Sequence, residues 1–141
     1  MRKLTIAACL ATTLLSTVSG YSAQHTEIDA IDAAYSTCLD KSEGVTASMN
    51  DCSGEAIGKM DKRLNQLYKT LMGTLPKQKQ ELLKNSQKKW LAWRTAEQDL
   101  SYALDPNEGG TLQGVSANGF AYEMLKRRVQ ELEGYLSNQE N

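Results

Sequence analysis

The apolar positions of this chain recur at three- and four-residue intervals over most of its length, the spacing of one face of an α-helix. Ile28, Ile31, Tyr35, Cys38 and Leu39 form one stripe over residues 26–40. Lys41-Ser-Glu-Gly44 breaks it, and Thr46 is placed to cap a long second helix. There Met49, Cys52, Ala56, Met60, Leu64, Leu67, Leu71 and Leu75 keep the helical period. Gly54, Gly58 and Gly73 interrupt that segment, each costing up to about 1 kcal/mol against Ala in a helix interior. They point to a kink or a close helix approach near Gly54 to Gly58.

Thr74-Leu-Pro-Lys77 ends the second helix and starts a third, with Pro76 suited to a first turn. So short a connection predicts antiparallel neighbours. The third helix runs over 77–103, with Leu82, Leu83, Ser86, Trp90, Trp93, Glu97, Leu100 and Leu104 expected on the core side and Lys77, Lys84 and Lys88 opposite. Trp90 and Trp93, at helical spacing, read as core and rim. Asp105-Pro-Asn-Glu-Gly-Gly110 is a strong breaker, and glycines continue to Gly119, which predicts a connector over 104–119. A last helix over 116–137 uses Phe120, Met124, Leu125, Val129, Leu132 and Leu136. No segment reads as a strand, a repeat or low complexity. The expected fold class is all-α, a small antiparallel bundle of three to four helices.

The first 20 residues read differently, as a secretory signal peptide. Arg2 and Lys3 supply the positive region, Leu4 to Leu15 a short apolar run, and Thr17-Val-Ser-Gly20 a small-residue cleavage region. Cleavage is expected after Gly20, or as late as Ala23. The apolar run is shorter than the roughly 20 residues that cross a bilayer. Ile6-Ala-Ala-Cys9 is similar to a lipoprotein box, but only eight residues precede Cys9, which leaves no room for a full apolar region. The expectation is a periplasmic or secreted protein whose residues 24–141 form one helical domain, with no stable membrane insertion once the leader is removed.

Charge adds to the picture only when it is read by segment. The 141-residue chain carries a formal charge of −1, which argues against a nucleic-acid binder, and loss of the leader leaves −3. Residues 24–58 hold seven acids and one base, residues 59–94 ten bases and two acids, and residues 95–141 eight acids and three bases. One reading of this acid–base–acid order is helix pairing, with a basic middle helix between acidic neighbours. The other is an exposed acidic end that steers a cationic partner.

Two cysteines remain after the leader, Cys38 and Cys52, with thirteen residues between them. In an oxidising compartment such a pair forms one disulfide. A loop of that length stabilises by on the order of 3 kcal/mol in the chain-entropy view. Metal and redox roles fail on inventory: there is no CxxC, and the one histidine, His25, lies near the mature N-terminus. No cofactor is expected. Enzyme chemistry lacks a histidine base away from the terminus and a phosphate cradle, and Glu81, Glu97 and Glu123 are not marked as a pair held in a cleft. The protein is therefore expected to bind rather than catalyse.

Several residues, read in order, carry a family resemblance. Cys38, Cys52, Asp61-x-x-Leu64-Asn65-x-x-Tyr68-x-x-Leu71, Leu83-x-x-x-Gln87-x-x-Trp90-x-x-Trp93-Arg94, Gly109-Gly110-Thr111 and Arg128-x-x-x-Leu132 together resemble the LprI-type lysozyme inhibitor domain over about residues 35–136. The resemblance implies a small exported helical inhibitor of lysozyme-type muramidases, one that occludes the substrate cleft of a cationic enzyme. Many members carry a second cysteine pair, which aligns with Gln98 and Phe120 here, so the stretch after Leu104 is less restrained in this chain. A different reading of the same fold is an envelope adaptor or immunity-type protein that binds another partner.

The motif residues divide into two groups. Asp61, Asn65 and Tyr68 share one helix face, and Gln87 and Arg94 share a face of the next helix, so the five are expected to form an interhelix polar network that sets register. Direct contact with a partner is the alternative. Glu108, Gly109, Gly110, Thr111 and Gln113, in the Gly-rich connector, are the first candidates for a loop that enters a cleft. Ser116 and Asn118 are further polar side chains of the same stretch.

Overall fold

A computed structural model of the protein describes residues 20–140, with side chains from Glu27 to Gln139. Residues 1–19, the bulk of the expected leader, with Cys9 among them, lie outside the described residues. Four helices follow one another: α1 (Gly20–Lys41), α2 (Thr46–Thr74), α3 (Lys77–Ala103) and α4 (Thr111–Glu140). No strand occurs among the described residues.

The spine of the molecule is the α2–α4 pair, which shares the most extensive interface. Asn118 Nδ2 donates to Asn50 Oδ1 at 3.0 Å near the start of both helices, and Arg63 meets Glu133 at 2.8 Å farther along. The two helices therefore run parallel. The regular stripe on α2 explains the pairing: Cys52, Ala56, Met60, Leu64, Leu67 and Leu71 are all buried, and Tyr122, Leu125, Val129 and Leu132 of α4 join them in one core. Burying a side chain of this size stabilises by roughly 1.5–3 kcal/mol relative to exposure.

α1 lies antiparallel across this pair. Ile28 and Ile31 are buried in the same core, and the Cys38–Cys52 disulfide joins α1 to the start of α2 with Cα atoms 5.7 Å apart. Polar contacts hold the remaining face. Ser53 Oγ donates to Met49 O at 2.9 Å, which leaves the Tyr35 hydroxyl to donate to Ser53 Oγ at 2.9 Å. The Tyr122 hydroxyl donates to Asp32, whose other oxygen pairs with Lys126 Nζ at 2.5 Å. Burial and the adjacent Asp32 carboxylate hold the Tyr122 phenol well above its ordinary range. Bonding to Asp32 likewise raises Lys126.

The turn between α1 and α2 is tight. Glu43 and Gly44 both adopt left-handed backbone, with φ of 50° and 78°, while the buried Ser42 hydroxyl donates to Leu39 O at 2.7 Å. The cap of α2 falls on Val45 with no side-chain hydrogen bond, one residue before the Thr46 expected from sequence.

α3 behaves differently. It runs antiparallel to α4 but meets α2 at few points, although only Leu75 and Pro76 separate it from that helix. Both residues are extended, with ψ of 147° and 151°, and they swing α3 away from α2. Only Leu83 and Gln87 of α3 are buried, with Trp90 partly so. The expected core positions Leu82, Leu100 and Leu104 are exposed at 66%, 53% and 72%, and Trp93 at 51%. The reason is angular. At about 100° per residue these four lie roughly a quarter turn around the helix from the Leu83–Gln87–Trp90 line that seats on α4.

Two further expectations change. α4 begins at Thr111, so the connector is 104–110 and not 104–119. Gly114 is accommodated in helix beside the Asn50 amide, and Asn118 bonds to that same amide, so packing against α2 outweighs the helix cost of glycine. Gly54 and Gly58 are exposed with open space around them, so neither marks a close helix approach.

Candidate functional site

The motif residues sort into a latch, a groove and an acidic end. Arg128 is the centre of the latch and only 4% exposed. Its Nε donates to Gln87 Oε1 at 3.1 Å, Nη2 to Ser86 Oγ at 3.1 Å, and Nη1 to Glu131 Oε2 at 2.8 Å. Its guanidinium also lies 5.7 Å from the centre of the Trp90 ring, and Arg94 lies 5.4 Å from the same ring. A buried guanidinium is tolerated when its donors and charge are matched, as they are here. The latch is thus what fastens α3 to α4.

The five residues expected as one network do not form one. Asp61 and Asn65 bond to each other along α2, with Asn65 Nδ2 donating to Asp61 Oδ2 at 3.0 Å. Tyr68 packs partly buried against the core, Gln87 is engaged by Arg128, and Arg94 sits over Trp90. Because α3 swings away from α2, the faces that carry them are separated. Asp61, Asn65, Tyr68 and Gln87 instead line a groove of about 370 Å³ between α2 and α3, together with Lys84, Lys88 and Leu91.

A second arginine cluster, around the partly buried Arg63, was not anticipated from sequence. Arg63 donates to Glu133 Oε1 from Nε at 3.1 Å and from Nη2 at 2.8 Å, and pairs with Glu27 at 3.0 Å. Glu133 is 4% exposed. The available signal was Arg63 and Glu133 interrupting otherwise apolar helix faces, but their partnership spans 70 residues and depends on the fold.

The connector residues have separate fates. Glu108, Gly109, Gly110 and Thr111 are exposed, Thr111 as the first residue of α4. Gln113 is buried: its Nε2 donates to Tyr102 O at 3.0 Å and its Oε1 accepts from the Gly109 amide at 3.0 Å. Gln113 thus braces the turn from inside. Asn107 N donates to Asp105 Oδ1 at 2.7 Å and Gly110 N to Asn107 O at 2.7 Å, which closes the connector on itself. Gly109 adopts φ of 73°, in the left-handed region that glycine occupies without strain.

The helix directions bring the α1–α2 turn and the α3–α4 connector to the same end. Residues 40–55 and 97–110, which build it, hold eight acids and one base, Lys41. Asp40, Glu43, Asp51, Asp99 and Glu108 are exposed there. Glu55 pairs with Lys59 at 2.6 Å, which holds its carboxyl below the usual range. Lys69, Lys77, Lys79 and Lys84 collect toward the opposite end. Among the described residues no group of three or more His, Cys, Asp or Glu side chains could hold a metal ion, and no helix is long and apolar enough to cross a membrane.

A family model described as lysozyme inhibitor LprI matches residues 38–132. The chain belongs to the LprI family. The match opens on Cys38 of the disulfide and closes on Leu132, so it takes in the latch, the groove and both turns of the acidic end. No curated protein and no solved structure matches the chain. In this LprI-family chain the latch, with Gln87, Trp90 and Arg128, accounts for much of the motif as structure.

Proposed function

We propose that this LprI-family protein is an exported inhibitor of a cationic lysozyme-type muramidase, and that its acidic end covers the enzyme's substrate cleft without chemistry of its own. The observation that carries the reading is the gathering of Asp40, Glu43, Asp51, Asp99 and Glu108 on the exposed end made by the two turns. Such a surface accelerates encounter with a cationic enzyme and orients it. The disulfide and the hydrogen-bonded connector hold that end in one shape, so little ordering cost remains for binding. An exported location accords with the disulfide and with the leader-like first 20 residues.

Muramidases act through carboxylates in the cleft, so the acidic end does not mimic a substrate contact at those groups. It instead engages the basic rim, with Glu108, Gly109 and Gly110 as the part able to reach inward. Lysis of cell walls, followed by turbidity with muramidases of several classes, tests the reading. Inhibition is expected near one-to-one stoichiometry with at least one cationic class. It should weaken as salt rises above about 0.15 M, where screening lengths fall below about 8 Å. No inhibition of any class at micromolar concentration would favour the adaptor reading.

A further inference from the structure

The outer face of α3 is spaced as a palindrome. Leu82, Ser86, Lys89, Trp93, Glu97, Leu100 and Leu104 follow one another at intervals of four, three, four, four, three and four residues, symmetric about Trp93. These positions lie on one side of the helix, about a quarter turn from the line of Leu83, Gln87 and Trp90 that seats on α4, with Ser86 at the border, where its hydroxyl oxygen also accepts from Arg128. Leu82, Trp93, Leu100 and Leu104 are each at least half exposed, and Leu104, at 72%, is the most exposed large apolar side chain among those described. Scattered exposed leucines need no explanation, but a row of them with a tryptophan along one helix face does.

We propose that this face pairs with the same face of a second copy of the chain, antiparallel, about a two-fold axis at Trp93. In that register Trp93 meets Trp93 of the second copy, Leu82 meets its Leu104, and Ser86 meets its Leu100. Lys89 meets its Glu97, twice by symmetry. Charge decides the direction. On this face the first half of α3 carries Lys79 and Lys89 and the second half Glu97, with Asp105 and Glu108 in the connector beyond it. Antiparallel pairing lays each basic half on an acidic half, whereas parallel pairing lays like on like.

The ends of the face agree with this register. Leu82 forms one wall of a groove of about 280 Å³ with Leu71, Leu75, Leu83 and Tyr135. The second copy's Leu104, opposite Leu82, arrives at its mouth. A two-fold interface of this kind is isologous and closes on itself, so it yields dimers and not fibres. A single helix pair falls at the small end of specific interfaces, below about 1,200 Å² in total, and the expected dimer dissociates in the micromolar range. The dimer face shares Glu97, Leu100 and Leu104 with the α3 side of the acidic end, but its test does not depend on any muramidase.

Sedimentation velocity of the purified protein from about 1 to 200 μM tests the pairing. A monomer–dimer equilibrium across that range is expected, and a monomer at every concentration overturns the proposal. Trp93→Asp should raise the dissociation constant about 100-fold or more, and Lys89→Glu about tenfold, by placing like charges opposite each other. Combining Lys89→Glu with Glu97→Lys should return it to within about threefold of the parent value. Trp93→Cys should form a symmetric disulfide-linked dimer under mild oxidation. A dimer that ignores both Trp93→Asp and Lys89→Glu, or a Trp93→Cys protein that stays monomeric on oxidation, contradicts the two-fold register.

Discussion

α2 and α3 are adjacent in sequence and similar in length, yet they are held in the molecule by different means. α2 buries a continuous stripe from Cys52 to Leu71 between α1 and α4, and the disulfide ties its first turns to α1. α3 buries Leu83 and Gln87 and is fastened mainly through the hydrogen bonds of Arg128. Helical periodicity is therefore necessary for a core helix but not sufficient. What matters is whether the apolar positions fall on one face, as in α2, or on two, as in α3.

Matched leucines on the two helices should differ most in what they contribute to stability. Leu71 is fully buried, and Leu71→Ala should cost about 2–5 kcal/mol in urea unfolding. Leu100→Ala, on the outer face of α3, should change stability by no more than about 0.5 kcal/mol when measured below micromolar concentration. Equal costs at the two sites would contradict the division of the molecule into a packed unit and an attached helix.

A substitution at the latch sharpens the same contrast. Arg128→Met leaves the buried Gln87 amide without its partner, at a cost of about 1–3 kcal/mol. Its signature is regional: amide exchange should quicken in α3 while α2 keeps its protection.

Alkaline pH separates the α1 side from α3. Tyr122 and Lys126 both hold their protons more tightly in the folded protein than in the unfolded chain. Their contribution is complete below the ordinary phenol and ammonium values of about 10 and is lost as pH rises beyond them. Thermal melts should fall above pH 10, less steeply for Tyr122→Phe than for the parent. A small gain is expected of Gly58→Ala, on an open face of α2, which should add about 0.5–1 kcal/mol.

Much of this architecture is legible in the residues, and the exceptions have physical causes. The α2 stripe and the bounds of α3 follow from spacing that local geometry enforces, and the Cys38–Cys52 pairing from there being two cysteines after residue 20. The start of α4 does not, because Gly114 and Gly119 read as loop until Asn50 and Asn118 are seen to meet. Nor do the polar partners. Gln87 shares its motif with Arg94 but bonds to Arg128, 41 residues away, a choice made by how α3 leaves α2. The candidate connector was half legible: Glu108, Gly109 and Gly110 are exposed as a binding loop requires, while Gln113 points inward to brace them.

The acidic end is the proposed inhibitory surface. A variant carrying Asp40→Lys, Glu43→Lys and Asp51→Lys should be compared with the parent for inhibition of cell-wall lysis by the cationic muramidase that the parent inhibits best. All three side chains are exposed, so folding should be retained and is checked by circular dichroism. Inhibition should weaken at least about tenfold, and what remains should lose its salt dependence. A folded variant that inhibits as well as the parent, with the same response to salt, would contradict that proposal.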